Sequence, residues 1–304
     1  MCLTPNTIKA PAGYTKSHTL TVPCGKCPHC IKSRRDGWAF RLQHEKKRAR
    51  SAGFVTFTYE TCPESFNGLW TLDKKDFQKF MKRLRHEVKK DDFANPAECG
   101  VSWKWEHYRT KKLKLPRKRK KWTRKIKYFA CGEYGTKYKR PHYHAVIFNL
   151  PERFLLDYTV LEKIWTHGIV HIDKANQATI YYTVSYMLKG RFEPEADYDD
   201  RSPEFQLMSK GLGENYVTPQ MKQHFKNHLR SYVVMPSGFK GKLPRYLKEK
   251  IYDETERTLV AGLAKHYMEN KPEKKWESPF HEVEWTRYQF EKYNRELEKQ
   301  RQKF

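Results

Sequence analysis

Two histidines flank one tyrosine, His142-Tyr143-His144, at the head of a run that continues Ala145-Val146-Ile147-Phe148. Such a β-branched and aromatic run reads as a strand. Residues two apart on a strand share a face, roughly 7 Å apart. The two imidazoles therefore point one way and Tyr143 the other, and ring nitrogens so placed suit one divalent cation. Pro141 fits the first residue of a strand, where no earlier ladder bond is needed. The run before it, residues 127–133, reads as a neighbouring strand ending in Glu133. A carboxylate beside two imidazoles suits Mg²⁺ or Mn²⁺ and leaves positions open for water and phosphate. The plainer alternative is a pair of polar residues on a solvated face.

A second constellation lies at Tyr182, Tyr186 and Lys189, spaced i, i+4 and i+7 on an expected helix over residues 178–188, with Gly190 as its C-cap. These three share one stripe, while Tyr181, about 100° away round the axis, is expected to pack inward. A phenol oxygen can attack a phosphodiester and hold one DNA end as a covalent ester. Charge builds on the phosphate oxygens during that attack, so a metal must offset it, and a nearby lysine lowers the phenol pKa. Histidine strand and tyrosine helix supply complementary halves of one reaction. The alternative is an aromatic stripe that only packs against a sheet.

The remaining elements must hold these halves together. Residues 31–52 read as a helix, 53–59 as a strand and the stretch from about residue 74 as a second helix. Asp73 is the expected N-cap of that helix, and Phe77, Phe80, Met81, Leu84 and Val88 its apolar stripe. A helix over 158–165 and a short strand over 168–172 follow; residues 245–250 and the last fifty read as helical, and the first thirty as irregular. A central hairpin among mixed helices and strands implies an α+β domain on an antiparallel sheet. Three regions are expected: a cysteine-rich element over 1–30, a core over 31–195 with a basic insertion over 107–127, and an accessory region over 196–304.

Of 304 residues, 61 are Lys or Arg and 35 Asp or Glu, a formal net charge of +26. That field attracts polyanions, nucleic acid first among them. The basic runs lack the apolar face that a membrane surface would require. In the basic insertion, Arg117, Lys118, Arg119, Lys120, Lys121 and Trp122 are candidates for tracking phosphates and stacking on bases, with Arg140 beside the histidines. The alternative is a solvated, mobile charge run. No segment approaches the ~20 apolar residues of a membrane span. The first residues lack a signal peptide's apolar stretch, which implies an intracellular protein with reduced cysteines. Cys24, Cys27 and Cys30 then offer three thiolates to a structural Zn²⁺, with Cys2 as the fourth ligand and His29 as an alternative. No Walker motif is present, so strand unwinding must come from elsewhere.

The strand over 54–59, the block Cys131-Gly-Glu-Tyr-Gly135 with Arg140-Pro-His-Tyr-His144, and the Tyr182/Tyr186/Lys189 helix occur in that order. Together they resemble the three motifs of HUH rolling-circle initiators, specifically the replication initiators of gokushovirus-like microviruses. Pro23-Cys-Gly-Lys-Cys-Pro-His-Cys30 and Pro244-Arg-Tyr246 resemble the same group. The resemblance implies an HUH endonuclease fold of about five antiparallel strands. It implies metal ligation by His142 and His144, and nicking of a single-stranded or supercoiled circular origin in the cytoplasm of a bacterial host. It also implies a 5′-phosphotyrosine, a free 3′-hydroxyl for host polymerase, and a host helicase as partner. Tyr186 is the implied nucleophile; Tyr182 is the implied second one, though Ser185 stands where the family's lysine would follow it. An HUH transposase or relaxase, or a non-catalytic basic zinc protein that binds nucleic acid, are the competing functional readings.

Overall fold

The computed structural model describes residues 2–10, 18–94, 125–135, 137–151, 153–186, 197–235, 238–270 and 279–302. Two compact units divide the chain, Gln43–Leu212 in one and Met1–Leu42 with Gly213–Phe304 in the other. The N-terminal residues are thus grouped with the C-terminal region, whereas the sequence reading separates the two.

The first residues are more regular than their prolines suggest. Strands β1 (Asn6–Lys9) and β2 (Thr19–Val22) pair antiparallel, and helix α1 (Pro28–Arg48) starts among the cysteines. Strand β3 (Ala52–Thr58), helix α2 (Lys74–Ala94), β4 (Lys127–Tyr134), β5 (Pro141–Phe148), α3 (Arg153–Leu156), α4 (Tyr158–Trp165), β6 (Val170–Lys174), α5 (Gln177–Ser185) and β7 (Phe205–Met208) follow. The five strands β3 to β7 form one sheet in the order β6-β3-β5-β4-β7, every neighbour antiparallel. An α+β architecture with a five-stranded antiparallel sheet is what the sequence pattern implies.

Three boundaries differ from the sequence reading for tertiary reasons. Helix α1 stops short of residue 52 because Ala52 pairs with Phe148 across β3 and β5. Strand β6 begins later because Gly168, at φ +144°, runs against the backbone of Thr58 and Glu60. Helix α5 ends at Ser185 with Tyr186 as its C-cap, while Gly190 lies outside the described residues.

One sheet face carries Val55, Phe57, Tyr143, Ala145 and Ile147, buried with Phe77, Phe80 and Leu84 of α2 and Leu161 and Trp165 of α4. Polar ties fix that layer. The Tyr143 hydroxyl donates to the Asp73 carbonyl (2.8 Å), and Asp73 caps α2 by accepting from the Lys75 N–H (2.7 Å). Trp165 Nε1 donates to the Thr58 carbonyl (3.1 Å). Helix α5 packs on β5 and brings the Tyr182 ring to that of Phe54 at 5.8 Å. That helix starts from a reciprocal capping box between Asn176 and Thr179.

In the other unit a 3₁₀ turn (Glu214–Tyr216) precedes α6 (Pro219–His228), β8 (Tyr232–Val234), β9 (Lys240–Lys242), α7 (Arg245–Ile251), α8 (Glu254–Glu269) and α9 (Pro279–Gln302). Phe40, Phe225, Val233, Leu243, Leu247 and Ile251 form its apolar core. No helix among the described residues is long and apolar enough to cross a membrane.

Phe57 is fully buried among Phe77, Phe80 and Trp165. Phe57→Ala is expected to cost about 3–5 kcal/mol, the usual cost of truncating a core phenylalanine. Urea unfolding followed by circular dichroism checks it.

Candidate metal and tyrosine site

Strand register decides what meets at the centre of the sheet. His144 on β5 lies opposite Thr56 on β3 and Cys131 on β4, while His142 lies opposite Glu133. Cross-strand partners share a face, so the two imidazoles and the carboxylate converge. His142 Nε2 sits 2.7 Å and His144 Nε2 3.0 Å from the same Glu133 oxygen, Oε1. The imidazole rings stand 5.0 Å apart, nearly perpendicular. Glu133 is only 2% exposed and His144 6%, so this charge is buried and demands partners. Burial alone would raise the Glu133 pKa; hydrogen bonds and charge from His142 and His144 outweigh it and hold the carboxyl at about 2. Glu133 is therefore anionic throughout the physiological range.

The outer nitrogens are also engaged. His142 Nδ1 lies 3.0 Å from the Arg140 carbonyl, and His144 Nδ1 2.9 Å from the Thr56 hydroxyl. A carbonyl only accepts, so Nδ1 of His142 carries the proton and the neutral ring presents its Nε2 lone pair toward Glu133. Two oriented imidazoles and one carboxylate fit a divalent cation that keeps open positions. Thr56 is the residue that motif reading passes over. It lies in the Thr-rich strand, but only the register of β3 against β5 puts its hydroxyl on His144.

Helix α5 and its C-cap bring both tyrosines over the histidines. Tyr186 stacks on His144 at 5.2 Å between ring centroids, Tyr182 meets His144 edge-on at 5.2 Å, and the two phenols lie 4.6 Å apart. Burial, reinforced by the Glu133 charge, pushes both phenols up, Tyr182 to about 12 and Tyr186 far above the ordinary tyrosine value. Tyr181, expected to pack inward, is half-buried instead; Ile180, Thr183 and Val184 are the buried residues of α5. Those three smaller side chains let the helix approach the sheet, where a second phenol ring would hold it off. Ser185, at the position of a family lysine, donates its hydroxyl to the Tyr181 carbonyl (2.7 Å).

The other candidate residues fall in different places. Lys189 and the basic residues Arg117, Lys118, Arg119, Lys120, Lys121 and Trp122 lie outside the described residues. Arg140 directs its guanidinium to the carbonyls of Tyr59 and Glu60, fastening the turn before the histidines. In the N-terminal segment the sulfurs of Cys2, Cys24, Cys27 and Cys30 all lie within 4.8 Å of one another. Backbone N–H groups of Leu3, Cys24 and Cys27 point at these sulfurs at 3.2–3.4 Å. The Thr4 hydroxyl and the N–H groups of Cys27 and Lys26 draw the Cys24 thiol down to about 5, whereas burial pushes Cys30 up to about 12. His29 is not among the converging groups; its ring lies edge-on to Trp285 at 5.9 Å.

An antiparallel sheet that presents two imidazoles and a carboxylate to a helix bearing two tyrosines defines a class of site, and comparison with known proteins supplies its context. Residues 52–191 match the Replication-associated protein ORF2 family model. Replication-associated protein VP4 of Bdellovibrio phage phiMH2K is 26% identical over 244 residues, 76% of this chain and 67% of its own length. Replication-associated protein ORF4 of Chlamydia phage 1 is 25% identical over 259 residues, 78% of this chain and 55% of its own. Replication-associated protein ORF2 of Spiroplasma virus 4 is 26% identical over 273 residues, 84% and 73% respectively. The chain thus spans between 55% and 73% of the length of these relatives. Among solved structures, the N-terminal nuclease domain of minute virus of mice non-structural protein-1 aligns over 75% of this chain and 98% of its own at 14% identity. Its TM-score of 0.17 carries no argument about the fold. The family match and the phage relatives support a rolling-circle replication initiator.

Thr56→Val keeps the strand but removes the hydroxyl that orients His144. Mn²⁺ affinity, read from the loss of free-ion paramagnetic resonance signal, is expected to fall about tenfold, as for other outer-shell partners of ligating histidines. Thr56→Ser is expected to retain it, and equal affinity in all three proteins would remove the orienting role.

Proposed function

We propose that this chain is a site-specific single-stranded DNA endonuclease and strand transferase that starts rolling-circle replication, built on an HUH fold. One observation carries the reading: Tyr186 stacks on His144 while His144 shares the Glu133 oxygen with His142. Nucleophile and cation ligands are thereby within one phosphate of each other. A basic zinc protein that only bound nucleic acid would have no use for that meeting. The same chemistry in a transposase or relaxase is the nearest competitor, and the phage relatives favour the initiator.

In this reading His142, His144 and Glu133 hold Mg²⁺ or Mn²⁺. When bound, such an ion supplies Lewis-acid polarisation of the phosphate and offsets the charge of Glu133. The chain's own groups do the rest. His142 and His144 are kept in position by the Arg140 carbonyl and Thr56, and the aromatic rings around His144 exclude water. Tyr186 Oη attacks the phosphorus as its proton leaves; the bond from phosphorus to the 3′ oxygen breaks, and that oxygen takes up a proton. The products are a 5′-phosphotyrosine on the protein and a free 3′-hydroxyl for host polymerase, with unwinding left to a host helicase. Lys189 would ease loss of the phenolic proton. Tyr182 touches the same histidine, so a second strand transfer from it is sterically open, though its neighbour Ser185 offers no positive charge.

The cysteine cluster supports a second, structural metal. Four sulfurs at mutual ligand distance fit a closed tetrahedral Zn²⁺ site. The convergence favours Cys2 over His29 as the fourth ligand.

Tyr186→Phe is expected to abolish covalent attachment to an origin oligonucleotide on a denaturing gel, whereas Tyr182→Phe leaves first nicking detectable. Wild-type adduct from the Tyr186 variant would overturn the assignment. His144→Ala is expected to lose metal-stimulated nicking but keep DNA binding. That same variant should still carry one equivalent of zinc by plasma mass spectrometry, and Cys2→Ser should carry less than half; His29→Ala losing zinc while Cys2→Ser kept it would reverse the choice of ligand.

A further inference from the structure

The loop before α2, the turn between β4 and β5, and the segment before β7 meet at the end of the sheet that also carries Glu133 and His142. They enclose a hollow of about 330 Å³ lined by Trp70, Tyr138, Lys139, Tyr198 and Arg201. Its aromatic side chains are unusually wet: Trp70 is 43% exposed, Tyr138 69% and Tyr198 66%. Three large rings from three separate segments, left in water around one hollow, mark a recognition surface rather than scattered surface apolarity.

The hollow is also tied together and kept cationic. Asn67 joins two of the segments, its Nδ2 donating to the Tyr198 carbonyl at 2.7 Å and its backbone N–H to Asp200 Oδ2 at 3.1 Å. The Asp199 carboxylate is neutralised by a forked pair with Arg201, at 2.8 Å and 2.6 Å. Lys137 Nζ lies 4.9 Å from the Tyr138 ring centroid, and Lys139 is held in the left-handed region at φ 51°. Exposed ring faces interleaved with lysines are the chemistry that stacks on nucleobases and pairs with the phosphates between them. A second copy of the chain would meet a surface whose cations repel their own image.

We propose that this hollow is a nucleobase-binding subsite that seats a base of the single-stranded DNA a short way along the strand from the reacting phosphate. The proposal deepens the nickase reading, since the turn bearing Tyr138 and Lys139 joins the strands of Glu133 and His142. It assigns these rings to holding the strand in register, a task that neither the histidines nor the paired tyrosines perform.

The test measures binding, not cutting. The full chain without divalent cation is titrated into a fluorescein-labelled single-stranded origin oligonucleotide and into copies carrying one abasic position moved stepwise along it. Wild type is expected to lose roughly tenfold in affinity at one or two adjacent positions, the scale of one lost base–aromatic stack. Tyr138→Ala and Tyr198→Ala are expected to bind the intact strand that much more weakly and to be indifferent to the abasic position, while Tyr138→Phe keeps the wild-type profile. Identical abasic profiles in wild type and both alanine variants would overturn the subsite. So would an equal loss by the alanine variants on intact and abasic strands, which marks a structural role, or self-association of the wild type that Tyr138→Ala abolishes. Failure of the Tyr186 adduct would sink the nickase reading and leave this measurement standing.

Discussion

Alternation along Pro141–Phe148 is the constraint on which the site depends. A strand sends successive side chains to opposite faces, so the residues that anchor β5 and the residues that face α5 are interleaved one by one. Tyr143, Ala145 and Ile147 go into the core with α2 and α4, and this fixes His142 and His144 on the other side. A slip of one residue would bury the imidazoles among Phe77 and Trp165 and expose the core. The Tyr143 hydroxyl on the Asp73 carbonyl gives that register a polar lock beneath the site.

Electrostatics reinforce the same arrangement. The chain is strongly basic, yet a deeply buried carboxylate sits in the middle of the sheet with two imidazoles on one oxygen. Such a group is costly to hold without cationic partners, and here the imidazoles keep it ionised. The negative charge in turn helps to keep the neighbouring phenols protonated. A surface field that gathers DNA and an acidic centre that suits a cation are complementary features of a protein that handles phosphodiesters.

The cysteine cluster shows a different economy. The described residues up to Cys30 hold short strands and little apolar core, and four sulfurs converge where packing is thin. Backbone N–H groups aimed at the thiols fix their geometry, as the outer hydrogen bonds do for the histidines.

Residue identity and spacing were enough to name most of the candidate ligands. Period-two and period-3.6 patterns located β4, β5, α4 and the paired tyrosines, since those signals are local and depend on neighbours within a few residues. Three cysteines at a fixed spacing likewise announced their cluster. What the chain alone left open depended on residues far apart in sequence. The strand at Phe205–Met208 carries no strong alternation and is a strand because β4 offers it an edge. The convergence of Cys2 rather than His29 on the other sulfurs, the hydroxyl of Thr56 on His144, the half-buried Tyr181, and the gathering of Trp70, Tyr138 and Tyr198 each follow from register or loop packing. Tertiary structure decided them because hydrogen-bonded register and burial join distant segments, and no local period carries that information.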